Sequence, residues 1–356
     1  MPTRIYFYHT RVTEQSYQEW KDHKFPGHLL YGMPLFEKDG IESVMHNYKF
    51  FPKRWQLMLY TTKEILRNYS KFNLVYGTSF RGLELIIFLR AIGLFRKPIV
   101  VWHHTAITKS SSKIKETISR LFYKGIDKMF LFSDKLIDDS MKSEKVPSNK
   151  LKLVHWGPDI DFYDYITKFI PEEKRVGFIS TGKENRDVVT LIDAFNKTDK
   201  ILDIYISKEC GEINYEKRIT SANPRENISV SYTEGVIPLE LAKKVAFKEC
   251  IVIPCLEFPY TVGLTTLVEA FALGMPVICS RNPNFQMDID KEGIGITVEY
   301  GDVKGWIDAI NYMSENPQQA REMGKRARKL AEERFNLKIF AHEIAEVLLS
   351  VSSKKR

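Results

Sequence analysis

The feature that most constrains this chain is a regular alternation of short apolar runs with helix-length amphipathic stretches, which occurs twice in succession. In the first half the runs are 4–8, 73–76, 99–102, 128–132 and 152–155, with helical patterns near 55–69, 79–95, 112–125 and 134–142. In the second half, runs at 175–179, 202–206, 228–231, 251–253, 277–279 and 295–298 are separated by helical patterns near 187–196, 238–247, 264–273 and 303–314. Runs this short and apolar suit strands buried on both faces, and strand–helix alternation builds parallel sheet through βαβ crossovers. At 356 residues the chain exceeds what one core usually organises, so two doubly wound α/β domains in tandem are predicted. The Gly/Pro break His155-Trp156-Gly157-Pro158-Asp159 marks the joint. That sets the domains at 1–157 and 158–335, followed by an amphipathic helix over 337–351 and a frayed basic tail, Lys354-Lys355-Arg356.

Charge is distributed unevenly over this frame. Residues 1–157 hold 26 Lys/Arg against 14 Asp/Glu, and residues 158–356 hold 27 against 31. A basic half predicts an anionic partner: nucleic acid, an anionic membrane surface or a phosphorylated substrate. Nucleic acid is set aside, because no zinc-finger spacing, RNP-like strand or helix-turn-helix pattern is present. Two segments mix basic with apolar residues, 49–72 (KFFPKRWQLMLYTTKEILRNYSKF) and 113–128 (KIKETISRLFYKGIDK), the pattern of a helix lying on an anionic leaflet. No stretch reaches the ~20 apolar residues of a membrane span; the nearest, Leu83 to Phe95, is interrupted by Glu84 and Arg90. The N-terminus shows no secretory pattern, and Cys210, Cys250, Cys255 and Cys279 form no C-x-x-C pair. A reducing cytoplasm is therefore expected, with no zinc site or disulfide framework.

Open α/β sheets bind ligands outside the carboxyl ends of their strands. No P-loop is present, and Gly293-Ile294-Gly295 leads into a strand without a third glycine, so it reads as a turn. The informative segment is 251–280, IVIPCLEFPYTVGLTTLVEAFALGMPVICS, which reads strand, loop, helix, strand. Gly263 allows close backbone approach, and Thr265 and Thr266 suit the first turn of a helix whose free N–H groups and positive dipole end favour a diphosphate. Glu269, one turn in, can accept hydrogen bonds from ribose hydroxyls, and Gly274 ends the helix. In the first half, His103-His104-Thr105 follows the run at 99–102, which puts a polar pair at a strand's carboxyl end. His9 and Thr10 hold the matching place after the first strand.

Gly263 to Ile278, G-x-T-T-L-x-E-A-x-A-x-G-x-P-V-I, resembles the donor-nucleotide motif of family 4 glycosyltransferases, which have the two-domain GT-B fold. Residues 152–159 resemble that family's crossover between domains, and residues 177–195 its diphosphate-gripping strand–loop–helix. The likeness is specific over 150–280 and vague before residue 98. It implies two Rossmann-like domains facing across a cleft, with 1–157 on the acceptor side, 158–335 on the donor side and 336–356 returning as a helix to the first domain. It implies that Lys183 holds the place of the family's diphosphate-binding arginine and Arg186 that of the following lysine, with Gly182 beside them. Gly263, Leu264, Thr265 and Thr266 would surround the phosphates and sugar. Glu269 matches the second of the family's two glutamates; the first falls at Thr261, with Glu257 nearby but out of register. A histidine close to the transferred sugar is implied, either His103 or His104, with His104 favoured. His28 and Gly32 would lie near the acceptor region.

The resemblance thus implies a retaining, metal-independent hexosyltransferase that takes a UDP- or GDP-type nucleotide sugar as donor and needs no separate cofactor. Fixed cations would replace Mg²⁺, and no Asp-x-Asp motif is expected. The acceptor would be a carbohydrate or lipid-linked hydroxyl in cell-surface polysaccharide or glycoconjugate synthesis, reached from the cytoplasmic face of a membrane. Alternatives are a nucleotide-sugar epimerase or hydrolase on the same fold, and a non-catalytic two-domain binding protein.

Overall fold

The computed structural model describes residues 2–168, 170, 175–234 and 238–353, so the expected basic tail at 354–356 lies outside the described residues. The chain divides into two compact units. The first comprises Met1–Asp22, Gly27–His155 and Leu337–Arg356; the second comprises His23–Pro26 and Trp156–Asn336.

The first unit is built on six parallel strands: β1 (Thr3–Tyr8), β2 (Ile41–Met45), β3 (Leu74–Gly77), β4 (Ile99–Trp102), β5 (Lys128–Leu131) and β6 (Leu151–Leu153), in the order β2-β1-β3-β4-β5-β6. Every residue of β3 and β4 is buried, as a parallel sheet covered on both faces requires. The sequence predicts five of these strands and omits β2. Only Ile41 of β2 is fully buried, because β2 is an edge strand and its apolar residues are interrupted by Glu42 and Ser43. Helix Leu337–Ser353 packs against the 3₁₀ segment Met33–Asp39. The contact is close: Gly32 has φ 82°, and a Cβ there would lie 3.0 Å from the Ala341 Cα.

The second unit is built on β7 (Phe178–Thr181), β8 (Leu202–Ile206), a small hairpin of β9 (Glu209–Cys210) and β10 (Ile213–Asn214), then β11 (Ile228–Tyr232), β12 (Cys250–Ile253), β13 (Val277–Ser280) and β14 (Gly295–Val298). The six-stranded sheet is all parallel, in the order β11-β8-β7-β12-β13-β14. Strand order reverses between β7 and β12, so the crevice for a ligand opens past their carboxyl ends. The run expected at 175–179 begins three residues later, at Phe178, because Gly177 adopts φ 73° and only then does the chain extend. Helices Val188–Phe195 and Val303–Glu315 fill one core face with Leu191, Ile192, Phe195, Trp306 and Ile310. No helix among the described residues is long and apolar enough to cross a membrane. All four cysteines are free thiols.

Candidate functional site

At the reversal point the loops leaving β7 and β12 are stitched together. The Leu256 N–H donates to the Asn185 carbonyl at 2.9 Å, and the Asp187 N–H to the Pro254 carbonyl at 3.2 Å. The β12 loop is pinned in turn to β13, where the Ser280 hydroxyl accepts from the Cys255 N–H at 2.8 Å. Beyond this seam helix Leu264–Leu273 begins. Its N-cap is Gly263, at φ 91°, with no side-chain cap, so the tip offers uncapped backbone N–H groups. A side chain at 263 is excluded by the Ile253 Cγ2, 2.6 Å from where a Cβ would sit.

Arg186 turns inward against this tip and is 5% exposed. Its Nε–H donates to the Thr181 carbonyl at 3.1 Å, Nη1 to the Glu184 carbonyl at 3.1 Å, and Nη2 to the Thr266 hydroxyl at 3.2 Å. Its backbone N–H donates to the Tyr215 hydroxyl at 2.9 Å. The guanidinium lies on Gly182 (φ 128°), where any Cβ would collide with it. Among the described residues no carboxylate pairs with Arg186. A buried cation without a counter-charge costs several kcal/mol. Here carbonyl and hydroxyl acceptors offset part of that cost, and among the described residues three of the five guanidinium N–H donors are filled. A positive group beside a helix N-terminus makes a site for an anion.

Of the other predicted residues, Leu264 and Thr266 are buried in the first turn and Thr265 is exposed at the tip. Lys183 is exposed on the β7 loop. Glu269 is half-buried, and burial pushes its carboxyl up to about 7, partly countered by the Tyr163 hydroxyl, which donates to Oε1 at 3.4 Å. Thr261 is buried and its carbonyl accepts from the Leu264 N–H, while Glu257 is exposed in the loop. No carboxylate therefore stands at the position of the family's first glutamate. Contrary to the expectation that no Asp-x-Asp motif is present, two such triplets occur, Asp159-Ile160-Asp161 and Asp288-Ile289-Asp290. The first aspartate of each is occupied as a helix N-cap, bonding Phe162 N–H in one case and Asp290 and Lys291 N–H in the other. Among the described residues no cluster of His, Cys, Asp and Glu is arranged to hold a metal.

In the first unit, His103 is 3% exposed and both ring nitrogens are engaged, Nδ1 with the Thr105 carbonyl at 2.5 Å and Nε2 with the Tyr123 hydroxyl at 3.0 Å. His104 is half-buried, stacks on Phe132 at 5.6 Å and places Nε2 3.0 Å from the Tyr31 hydroxyl. Burial brings its pKa down to about 4, so it is neutral at pH 7. Tyr31, whose backbone has φ 52°, also packs its ring edge-on against His9 at 5.7 Å. The His9 Nε2–H donates to the Leu29 carbonyl at 3.2 Å, while Nδ1 is buried without a partner. His28 is fully buried and neutral, and Gly32 packs on the C-terminal helix.

Residues the sequence reading passed over include Thr181, Tyr215 and Tyr163. Tyr163 meets Glu269 across 106 residues of chain, and no local pattern announces such a contact. Thr181 is the last residue of the strand at the switch point, which the run expected at 175–179 stops short of.

Residues 160–330 match the family model described as glycosyl transferases group 1. No curated protein sequence matches the chain. Among solved structures, sucrose-phosphate synthase from Thermosynechococcus elongatus has a TM-score of 0.73 at 14% identity, covering 98% of this chain and 99% of that one. Anabaena HepE in complex with UDP-glucose has a TM-score of 0.68 at 15% identity, covering 98% and 99%. WaaG, a glycosyltransferase involved in lipopolysaccharide biosynthesis, has a TM-score of 0.63 at 12% identity, covering 97% and 99%. The fold is that of the GT-B glycosyltransferases.

Proposed function

We propose that the chain, whose residues 160–330 match the family of glycosyl transferases group 1, transfers a sugar from a nucleoside diphosphate sugar to an acceptor hydroxyl. The observation that carries this reading is the buried Arg186 guanidinium, which no carboxylate pairs among the described residues, joined through Thr266 to an uncapped helix N-terminus. A diphosphate supplies the missing charge. When the bond from the anomeric carbon to the diphosphate oxygen breaks, negative charge grows on the leaving phosphate. Arg186 and the tip N–H groups are already fixed to receive it, which lowers the barrier without reorganisation. Lys183 adds a mobile cation, and Gly182 leaves room for the guanidinium beneath. These fixed cations take the place of a divalent metal.

Glu269 accepts from the ribose hydroxyls, and those donors favour its ionised form. In the first unit, neutral His104 orients a substrate hydroxyl. Retention follows if the departing diphosphate takes the acceptor's proton from the same face, so that no side-chain base is required. The transferred group is a hexose. The acceptor is a carbohydrate or lipid-linked hydroxyl of a cell-surface polymer or glycoconjugate, met in the cytoplasm at the membrane's inner face. HepE is a uridine-nucleotide precedent for the donor.

A thermal-shift panel of UDP, GDP and their sugars tests the reading. A nucleotide at a hundredfold excess over its Kd stabilises the native state by about 2.7 kcal/mol. The proposal requires at least one of them to raise Tm in the wild type and to lose that effect in Arg186→Met. A panel with no response would overturn it.

A further inference from the structure

Helix Lys113–Lys124 contains no buried residue. Its inner side is held by rings: Phe122 packs edge-on against Phe80 and Phe88 at 5.7 and 5.5 Å, and the Tyr123 hydroxyl meets His103. Its outer side carries Ile114, Ile118 and Leu121, which are 75%, 52% and 37% exposed. Their spacing, i, i+4 and i+7, aligns them as one apolar stripe turned to solvent, the reverse of an ordinary surface helix. Two further apolar side chains are exposed near the end of the helix. Gly125 abuts Ile87 and Ala91, and the segment just beyond them exposes Ile92 and Leu94 at 58% and 72%.

The rim of the stripe is cationic. The acids near it are engaged elsewhere, Glu116 by Arg120 and Lys145 and Glu144 by Lys109. The exposed Lys113, Lys115 and Lys124 make no ion pair among the described residues. Lysines with long stems beside an aliphatic stripe can lower the stripe into a bilayer while their heads stay at phosphate level. A second copy of the chain is a poorer occupant, because a two-fold contact would set these lysines against one another on a half already rich in Lys and Arg.

We propose that helix Lys113–Lys124, with Ile92 and Leu94, lies in the plane of an anionic lipid surface as a monotopic docking site. The stripe enters the acyl boundary and the three lysines meet lipid phosphates. This stands apart from the transferase reading, since it requires no donor or turnover.

Flotation of the full chain with vesicles tests it. The chain should float with phosphatidylcholine vesicles containing phosphatidylglycerol and remain behind with phosphatidylcholine alone. Combined Ile114→Ser, Ile118→Ser and Leu121→Ser changes should cut binding at least tenfold. Combined Lys113→Gln, Lys115→Gln and Lys124→Gln changes should cut it on the order of a hundredfold and flatten its salt dependence. All six positions are exposed, so both variants should melt as the wild type does. The proposal falls if the wild type fails to float with anionic vesicles at low salt, or if the serine variant floats equally well. It also falls if sedimentation finds a dimer that the serine variant breaks while neither protein floats, because a second copy then covers the stripe.

Discussion

Replacing Glu269 with Gln should make the protein more stable at pH 8 and change little at pH 5. Burial raises the Glu269 carboxyl from 4.5 to about 7. Between those values the folded state holds a proton that the unfolded chain has released. Unfolding therefore becomes easier as pH rises through the window, by about 1.4 kcal/mol per unit, and levels off above it. Over the whole interval the wild type forfeits about 3 kcal/mol that a neutral amide does not. Gln can still accept from the Tyr163 hydroxyl. The buried histidines, whose lowered values act on the acid side, are common to both proteins and cancel in the difference. Urea midpoints of wild type and Glu269→Gln at pH 5 and pH 8 measure the effect, which corresponds to roughly 6–12 °C in Tm for a domain of this size. A stability difference identical at both pH values would refute the assignment of a desolvated carboxyl to this position.

Gly182→Ala puts a methyl group where the Arg186 guanidinium lies, at a φ of 128°, so nucleotide affinity should fall at least tenfold and stability by about 1–3 kcal/mol, read by calorimetric titration and urea melts. Arg90→Met should destabilise the first unit by about 3–5 kcal/mol in urea, because Arg90 forms a two-pronged pair with Asp127 at 2.6 and 2.7 Å and its loss takes the cation from a partly buried carboxylate. Affinity for a nucleoside diphosphate sugar, whose diphosphate carries no proton to lose in this range, should rise from pH 6 to pH 8, because ribose hydroxyls bind the ionised Glu269; titrations at both pH values check it, and the dependence should vanish in Glu269→Gln.

The parallel-sheet plan was legible because buried strands such as Ile99–Trp102 and Cys250–Ile253 are short apolar runs bounded by turns, and helix Leu264–Leu273 because Gly263 and Gly274 bracket it. Edge strand Ile41–Met45 was not, since a half-exposed strand carries polar residues that blur its pattern. Composition also gives no strand order, so the switch point between Phe178–Thr181 and Cys250–Ile253 emerged only with the fold. At the site, the chemistry of residues 263–269 could be read locally. The inward turn of Arg186 could not, because its acceptors lie on Thr181, Glu184 and Thr266, the last 80 residues away. The difference between His103 and His104 likewise depends on distant partners, Tyr123 and Tyr31, which decide that one ring is enclosed and the other half-open.

The measurement closest to the central claim is calorimetric titration of UDP into the wild type and into Arg186→Met. If the cation and the helix tip form one diphosphate pocket, the wild type binds and the variant loses affinity at least a hundredfold, while a uridine control without phosphates binds neither. Equal UDP affinity in the two proteins would contradict the account.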